Sequence, residues 1–148
     1  MDRKQLTLTI IFASLYAVLT VALAPLSYYF FQIRFSDALI PLSIVFGMPS
    51  VYGVTVGCFV ANAFGGLGLM DMILGSLVNF IASYLAYKIG RGIIGVIVAT
   101  LTVGLGVGLY LGYLLGVPVE LMIQSTLFGS IISISVLGWG LVVVFRQK

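Results

Sequence analysis

Four ionisable side chains, Arg34, Asp37, Asp71 and Glu120, stand out in a chain made mostly of apolar runs. Amides and hydroxyls accompany them: Gln32, Ser36, Asn62, Asn79, Gln124 and Ser125. Asp71, Gly75 and Asn79 are spaced by four, so they share one helix face. Glu120 and Gln124 share a face in the same way. Carboxylates, a guanidinium and amides so grouped can hold a small polar molecule through charge-assisted hydrogen bonds. They are poorly suited to catalysis. The sequence has no histidine, which removes the commonest general base and metal ligand. Its single cysteine, Cys58, makes neither an intrachain disulfide nor a metal site. No Walker A, Ser-His or HExxH pattern occurs. No catalytic residue, metal or cofactor is expected of this chain.

The setting for these groups follows from composition. Of 148 residues, 61% are hydrophobic and 7% charged, where a soluble domain carries about 25% charged residues. So few charges cannot coat a water-soluble globule, and lipid is the remaining solvent. A spanning helix takes roughly 20 residues, so the chain holds about six spans in one domain, 1–148, with no separate soluble part. The net charge of +3 comes from dispersed basic residues. It is read as membrane topology and not as a nucleic-acid surface.

Apolar runs and their interruptions place the spans. The first covers about 6–29, with Pro25 near its outer end. Its apolar run is longer than the ~7–15 residues of a signal h-region, and Pro25 would follow the Ala22-Leu23-Ala24 cut, so a spanning helix is expected. A polar link, 32–37, leads to a short second span, 36–46, capped by Ser36 or Asp37. That span rises only ~18 Å against a ~30 Å core. Gly47-Met48-Pro49-Ser50 turns the chain. The third span is 51–64, the fourth 69–89, the fifth 93–115 and the sixth 119–145.

Charge sorts cleanly on this layout. With the N-terminus inside, Arg3, Lys4, Lys88, Arg91, Arg146 and Lys148 fall inside and only Arg34 outside. That is a strong positive-inside bias. Asp37, Asp71 and Glu120 fall outside and Asp2 inside. Small residues recur every fourth position: Gly53, Gly57, Ala61 and Gly65; Gly104, Gly108, Gly112 and Gly116; Ala82, Ala86 and Gly90; Ala13 and Ala17. Such stripes let helix backbones approach closely.

Polar faces are costly in lipid and should turn inward. A polar pocket in the outer half of the bundle is therefore expected, with Gly75 leaving space above Asn79. Tyr28, Tyr29, Phe30, Phe31 and Phe35 would form its lid. Plainer alternatives stand beside this. Arg34 and Asp37 can pair with each other at the interface. Glu120 suits a helix N-terminus, and tyrosines anchor at membrane boundaries. The inner half has almost no charge to line a pore, which disfavours a channel. A pocket open outward, with no exit and no energy source, needs a partner to complete transport.

Several segments carry a family likeness: 13–20 (Ala-Ser-Leu-Tyr-Ala-Val-Leu-Thr), 24–28, and above all 32–39 (Gln-Ile-Arg-Phe-Ser-Asp-Ala-Leu). It continues through Asn62 with Gly65-Gly66, Asp71, Leu74-Gly75-Ser76 and Asn79. The chain resembles the substrate-binding (S) components of energy-coupling factor (ECF) transporters, most of all the QueT family of queuosine-precursor transporters. It departs from that pattern at Asp37, where the family carries Glu, and in the last helix, where a Gly-Glu pair is expected and Gly129 is followed by Ser130.

The resemblance implies an all-α bundle of six transmembrane helices in the cytoplasmic membrane, with both termini cytoplasmic. It implies a transmembrane coupling protein and two cytoplasmic ATPases as partners, with ATP used by them and not by this chain. Ala13 and Ala17 would present the small-xxx-small motif that docks on the coupling protein. The ligand would be a 7-deazaguanine-type base held among Gln32, Arg34, Asp37, Asn62, Asp71, Asn79, Glu120, Gln124 and Tyr28. Asp71 or Glu120 would accept from its edge, and Tyr28 would stack on its face. Two other readings remain open: an S component for another vitamin or nucleobase, and an assembly protein with no small ligand.

Overall fold

A computed structural model describes residues 1–28, 33–90 and 92–147. The elements among them are all helical. The first rod is α1, Arg3–Ala22, opened by an Asp2–Gln5 capping box. It does not run on to Tyr29. The chain breaks at Leu23 and restarts as α2, Ala24–Tyr28, because Pro25 brings no N–H to continue the ladder. The expected second span is also irregular. Phe35–Leu42 winds as a 3-10 helix around Pro41, and only Ser43–Phe46 (α3) is α-helical. Arg34 takes the cap position without a side-chain bond, and Asp37 lies inside the first turn. The Ser36 or Asp37 cap expected from sequence is therefore not formed; the Asp37 carboxyl is engaged elsewhere. Together these turns rise about 22 Å, still short of a ~30 Å core.

The next rods are α4, Met48–Gly65, α5, Leu69–Ile89, and α6, Ile93–Leu115. α5 and α6 match their expected bounds. They stop at Gly90 and Gly116, whose φ values of 57° and 64° are free of the steric cost a Cβ would bring. The last rod is broken in winding but not in path: α7, Val119–Ser130, a π segment, Ile131–Gly138, and α8, Trp139–Arg146. Four of these rods are long and apolar enough to cross a membrane: Arg3–Ala22, Leu69–Ile89, Ile93–Leu115 and Val119–Arg146. Phe35–Phe46 is too short, and in Met48–Gly65 glycines, Ser50 and Asn62 dilute the apolar content. Length and composition thus support four of the six expected spans.

The glycine stripes pack the rods together. A Cβ on Gly57 would lie 2.6 Å from the Ala13 carbonyl oxygen and 2.7 Å from Tyr16 Cβ. One on Gly108 would lie 2.6 Å from Ile123 Cα. So α1 seats against α4, and α6 against α7, nearly backbone to backbone. Ala13 lies in this seam and stays half-buried. Ala17 instead lines an outward apolar groove with Val18, Val21, Ala22 and Phe64.

One end of the bundle gathers the helix ends with their basic residues. Thr9 donates to the Pro49 carbonyl, Phe46 meets Phe145 edge to face, and Arg146 donates to the Gly90 carbonyl at 2.8 Å. Arg3, Lys4, Lys88 and Arg146 are all exposed around this end. Arg91 and Lys148 lie outside the described residues. Buried Arg34 sits away from them.

The α1–α4 seam gives a direct test. Gly57→Val should cost about 1–3 kcal/mol of stability, the usual penalty of overpacking. Gly140→Ala, at a helical glycine with open space around it, should be neutral or gain up to about 1 kcal/mol. Thermal unfolding of both variants in detergent checks the contrast.

Candidate functional site

Tyr16 on α1 is the node of the interior. It is fully buried, yet its hydroxyl has two polar partners. It donates to Asp37 Oδ1 on the 3-10 segment and accepts from Asn79 Nδ2 on α5 at 2.7 Å. One turn on, the Thr20 hydroxyl shares a 2.6 Å hydrogen bond with Ser36 and donates to the Tyr16 carbonyl. These bonds fix the 3-10 segment against α1 and α5 at the polar residues of both. Arg34 precedes this segment. Its guanidinium is buried, with Nη1 4.0 Å from Cys58 Sγ and Cζ 5.7 Å over the Tyr28 ring. Tyr28 is anchored by a 2.6 Å bond from its hydroxyl to the Ala61 carbonyl, and its ring fills the space that Gly65 leaves.

A second cluster lies beside the first. Asp71 is fully buried at the start of α5. Its Oδ1 accepts from the Tyr110 hydroxyl on α6 at 2.7 Å, and its carbonyl accepts from Asn62 Nδ2 on α4 at 3.0 Å. Gly75 makes this possible: a Cβ there would meet the Asn62 amide and lie 3.0 Å from the Tyr110 hydroxyl. Gly75 therefore makes room for Asn62 and Tyr110, and not above Asn79 as the spacing suggested.

Several buried polar atoms here have no hydrogen-bond partner: Arg34 Nε and Nη2, Asn62 Oδ1 and Asp71 Oδ2. Such groups normally cost several kcal/mol unless paired. Two are donors on one edge of a guanidinium and two are acceptors. A small cavity is lined by Arg34, Asp37, Asn79, Val103, Val107, Thr126 and Ser130. Its free volume is about 10 Å³, enough for one water. Among the described residues no group of carboxylates and cysteine could hold a metal.

The structure brings together six of the expected residues: Tyr28, Arg34, Asp37, Asn62, Asp71 and Asn79. It separates two. Glu120 and Gln124 are exposed on α7. Their shared face turns outward because the opposite face, with Met122, Ser125, Thr126 and Gly129, packs into the bundle. Glu120 keeps its alternative role, a negative charge in the first turn of a helix. Gln32 and the lid residues Tyr29, Phe30 and Phe31 lie outside the described residues. Tyr16, Tyr110 and Thr126 were not among the expected residues. Tyr16 was legible as a polar tip inside an apolar span; Tyr110, set among glycines near a helix end, carries no comparable signal.

The Tyr16 node predicts a measurable loss. Tyr16→Phe removes two buried bonds, worth ~0.6 kcal/mol each on average and up to ~1.7 in membrane proteins. A destabilisation of about 1–3 kcal/mol should follow. A double-mutant cycle with Asn79→Leu should show coupling of at least ~0.5 kcal/mol; purely additive unfolding energies would contradict the node.

No curated protein and no solved structure matches this chain. One protein family does, described as the QueT transporter, and its match covers residues 6–147. The match runs through the second half of the chain as well as the first. Its apolar rods mark a membrane-embedded protein, and over nearly its whole length the chain belongs to the QueT transporter family.

Proposed function

We propose that this chain is the substrate-capturing S component of an ECF importer, taking up a queuosine precursor of the 7-deazaguanine type. In this reading it sits in the cytoplasmic membrane as six spans with both termini inside. The described basic residues gathered at one end support that orientation by the positive-inside rule. A coupling protein and two ATPases supply the energy, and this chain supplies the binding site.

The observation that carries the reading is the set of buried, unpartnered atoms on Arg34, Asn62 and Asp71. A guanine-like base offers adjacent N–H donors on one edge and a carbonyl on another. Asp71 Oδ2 and Asn62 Oδ1 are acceptors for the first. The Arg34 Nε and Nη2 edge is a two-donor fork for the second. A ligand that satisfies all four removes the cost of leaving them unpaired, so affinity and specificity have the same source. Burial of these groups away from water makes each bond count for more.

Thermal-shift and calorimetric titration with 7-deazaguanine, guanine and unrelated vitamins test this. The wild-type protein should be stabilised by the deazaguanine. Asp71→Asn and Arg34→Lys should each weaken binding by about 10–100-fold, as expected for losing a hydrogen bond to a charged group worth ~1.5–3 kcal/mol. Glu120→Gln should bind like wild type. Unchanged affinity in Asp71→Asn, or stabilisation by an unrelated vitamin alone, would overturn the ligand assignment.

A further inference from the structure

The site has polar atoms for a ligand but little room. Its 10 Å³ cavity cannot take a flat bicyclic ring, which is several waters in size. Something beside it must move, and most of the polar residues around it are locked. Tyr16, Asn62, Asp71 and Asn79 are at most 2% exposed, and Arg34 and Asp37 are 4% exposed. Tyr110 is different. Its hydroxyl reaches inward to Asp71, while its half-buried ring borders an outward groove of about 390 Å³. Met70, Leu74, Leu109, Tyr113 and Leu114 complete that groove between α5 and α6. Tyr110 therefore links the buried polar cluster at Asp71 to the edge of an open groove large enough for a phenol ring.

We infer that Tyr110 is the moving wall of the binding site. Its hydroxyl stands in for a ligand donor at Asp71 Oδ1. When the ring swings into the α5–α6 groove, it frees that oxygen and opens the interior beside Asn62 and Arg34. Both oxygens of Asp71 then face the incoming edge, which converts a single contact into a bidentate one. The Tyr110–Asp71 bond thus competes with the ligand and lowers its apparent affinity by the closed fraction. The inference rests on the capture reading only for the identity of the ligand that enters.

Cys58 supplies a ligand-free readout. It is the single cysteine of the chain, fully buried and 4.0 Å from Arg34 Nη1, so its alkylation reports opening of this interior. The full-length protein in lipid nanodiscs is treated with N-ethylmaleimide. Tyr110→Phe keeps the ring and loses the anchor, and should label about fivefold faster, the size of one lost hydrogen bond. Leu114→Trp places bulk in the groove at an exposed position one turn from Tyr110, and should label about fivefold slower with its melting temperature unchanged. Titration with 7-deazaguanine should show tighter binding to Tyr110→Phe than to wild type. Equal labelling rates in wild type and Tyr110→Phe, or no slowing in Leu114→Trp, would overturn the moving wall. Labelling rates that shift as expected in a protein that binds no 7-deazaguanine would keep the wall and discard the capture reading.

Discussion

A polar group buried in this bundle costs free energy unless it finds a partner there, and the Tyr16 hydroxyl is where that constraint is met most fully. One oxygen serves Asp37 and Asn79 together. Without it, a buried carboxyl and a buried amide would each lose a partner in an apolar interior. The rest of the architecture follows from placing that hydroxyl. α1 must lie deep enough for Tyr16 to reach both partners, and Gly53 and Gly57 on α4 allow the approach. The 3-10 segment must keep Asp37 on its inner side. Its tighter winding, with Pro41 inside it, buries Ser36 through Leu42 as a continuous run.

The two irregular helices belong to one physical problem. The 3-10 segment packs on the π segment of the last rod, where Gly138 gives way to Pro41: a Cβ there would lie 2.8 Å from the proline ring. Departures from α geometry cost hydrogen-bond quality, and they recur at functional sites because they re-aim side chains. Here the wide turn of the π segment follows Ser130, which lines the cavity, and the tight turn carries Asp37, which also lines it. The two irregular pieces pack against each other beside the site.

Much of this was legible in the residues, and what was not has physical reasons. Helices ending at Gly90 and Gly116 were read correctly because a left-handed residue after a helix leaves a local chemical signature. Glycine stripes were read correctly because spacing by four fixes a shared face. The same spacing misled at Glu120 and Gln124. It says that two residues share a face but not which way the face turns. That depends on what the opposite face packs against, and Met122 and Thr126 hold the inward side. The windings around Pro41 and Ile131–Gly138 escaped because apolar runs look alike whether wound with three, four or five residues per bond. Tyr110 escaped because its partner Asp71 is 39 positions away, and only packing brings the two together.

The distribution of satisfied and unsatisfied groups separates capture from conduction. Toward the basic end the interior is sealed by Ala82, Ala86, Val96, Ala99 and Val142, each fully buried. The hydroxyls near them are mostly spent on local bonds: Ser43 on the Ser83 carbonyl, Ser83 on the Asn79 carbonyl, Thr100 on the Val96 carbonyl and Ser135. Ser50 is an exception. The free bonding capacity of charged and amide groups is concentrated instead on Arg34, Asn62 and Asp71. A conducting pore needs successive weak sites along its length. This interior has one strong polar site and an apolar floor beneath it. A solute held there cannot pass through the floor without crossing packed alkyl side chains, so release on the other side requires the helices themselves to move. On the proposed reading, that movement is the mechanical work the coupling protein and ATPases would supply.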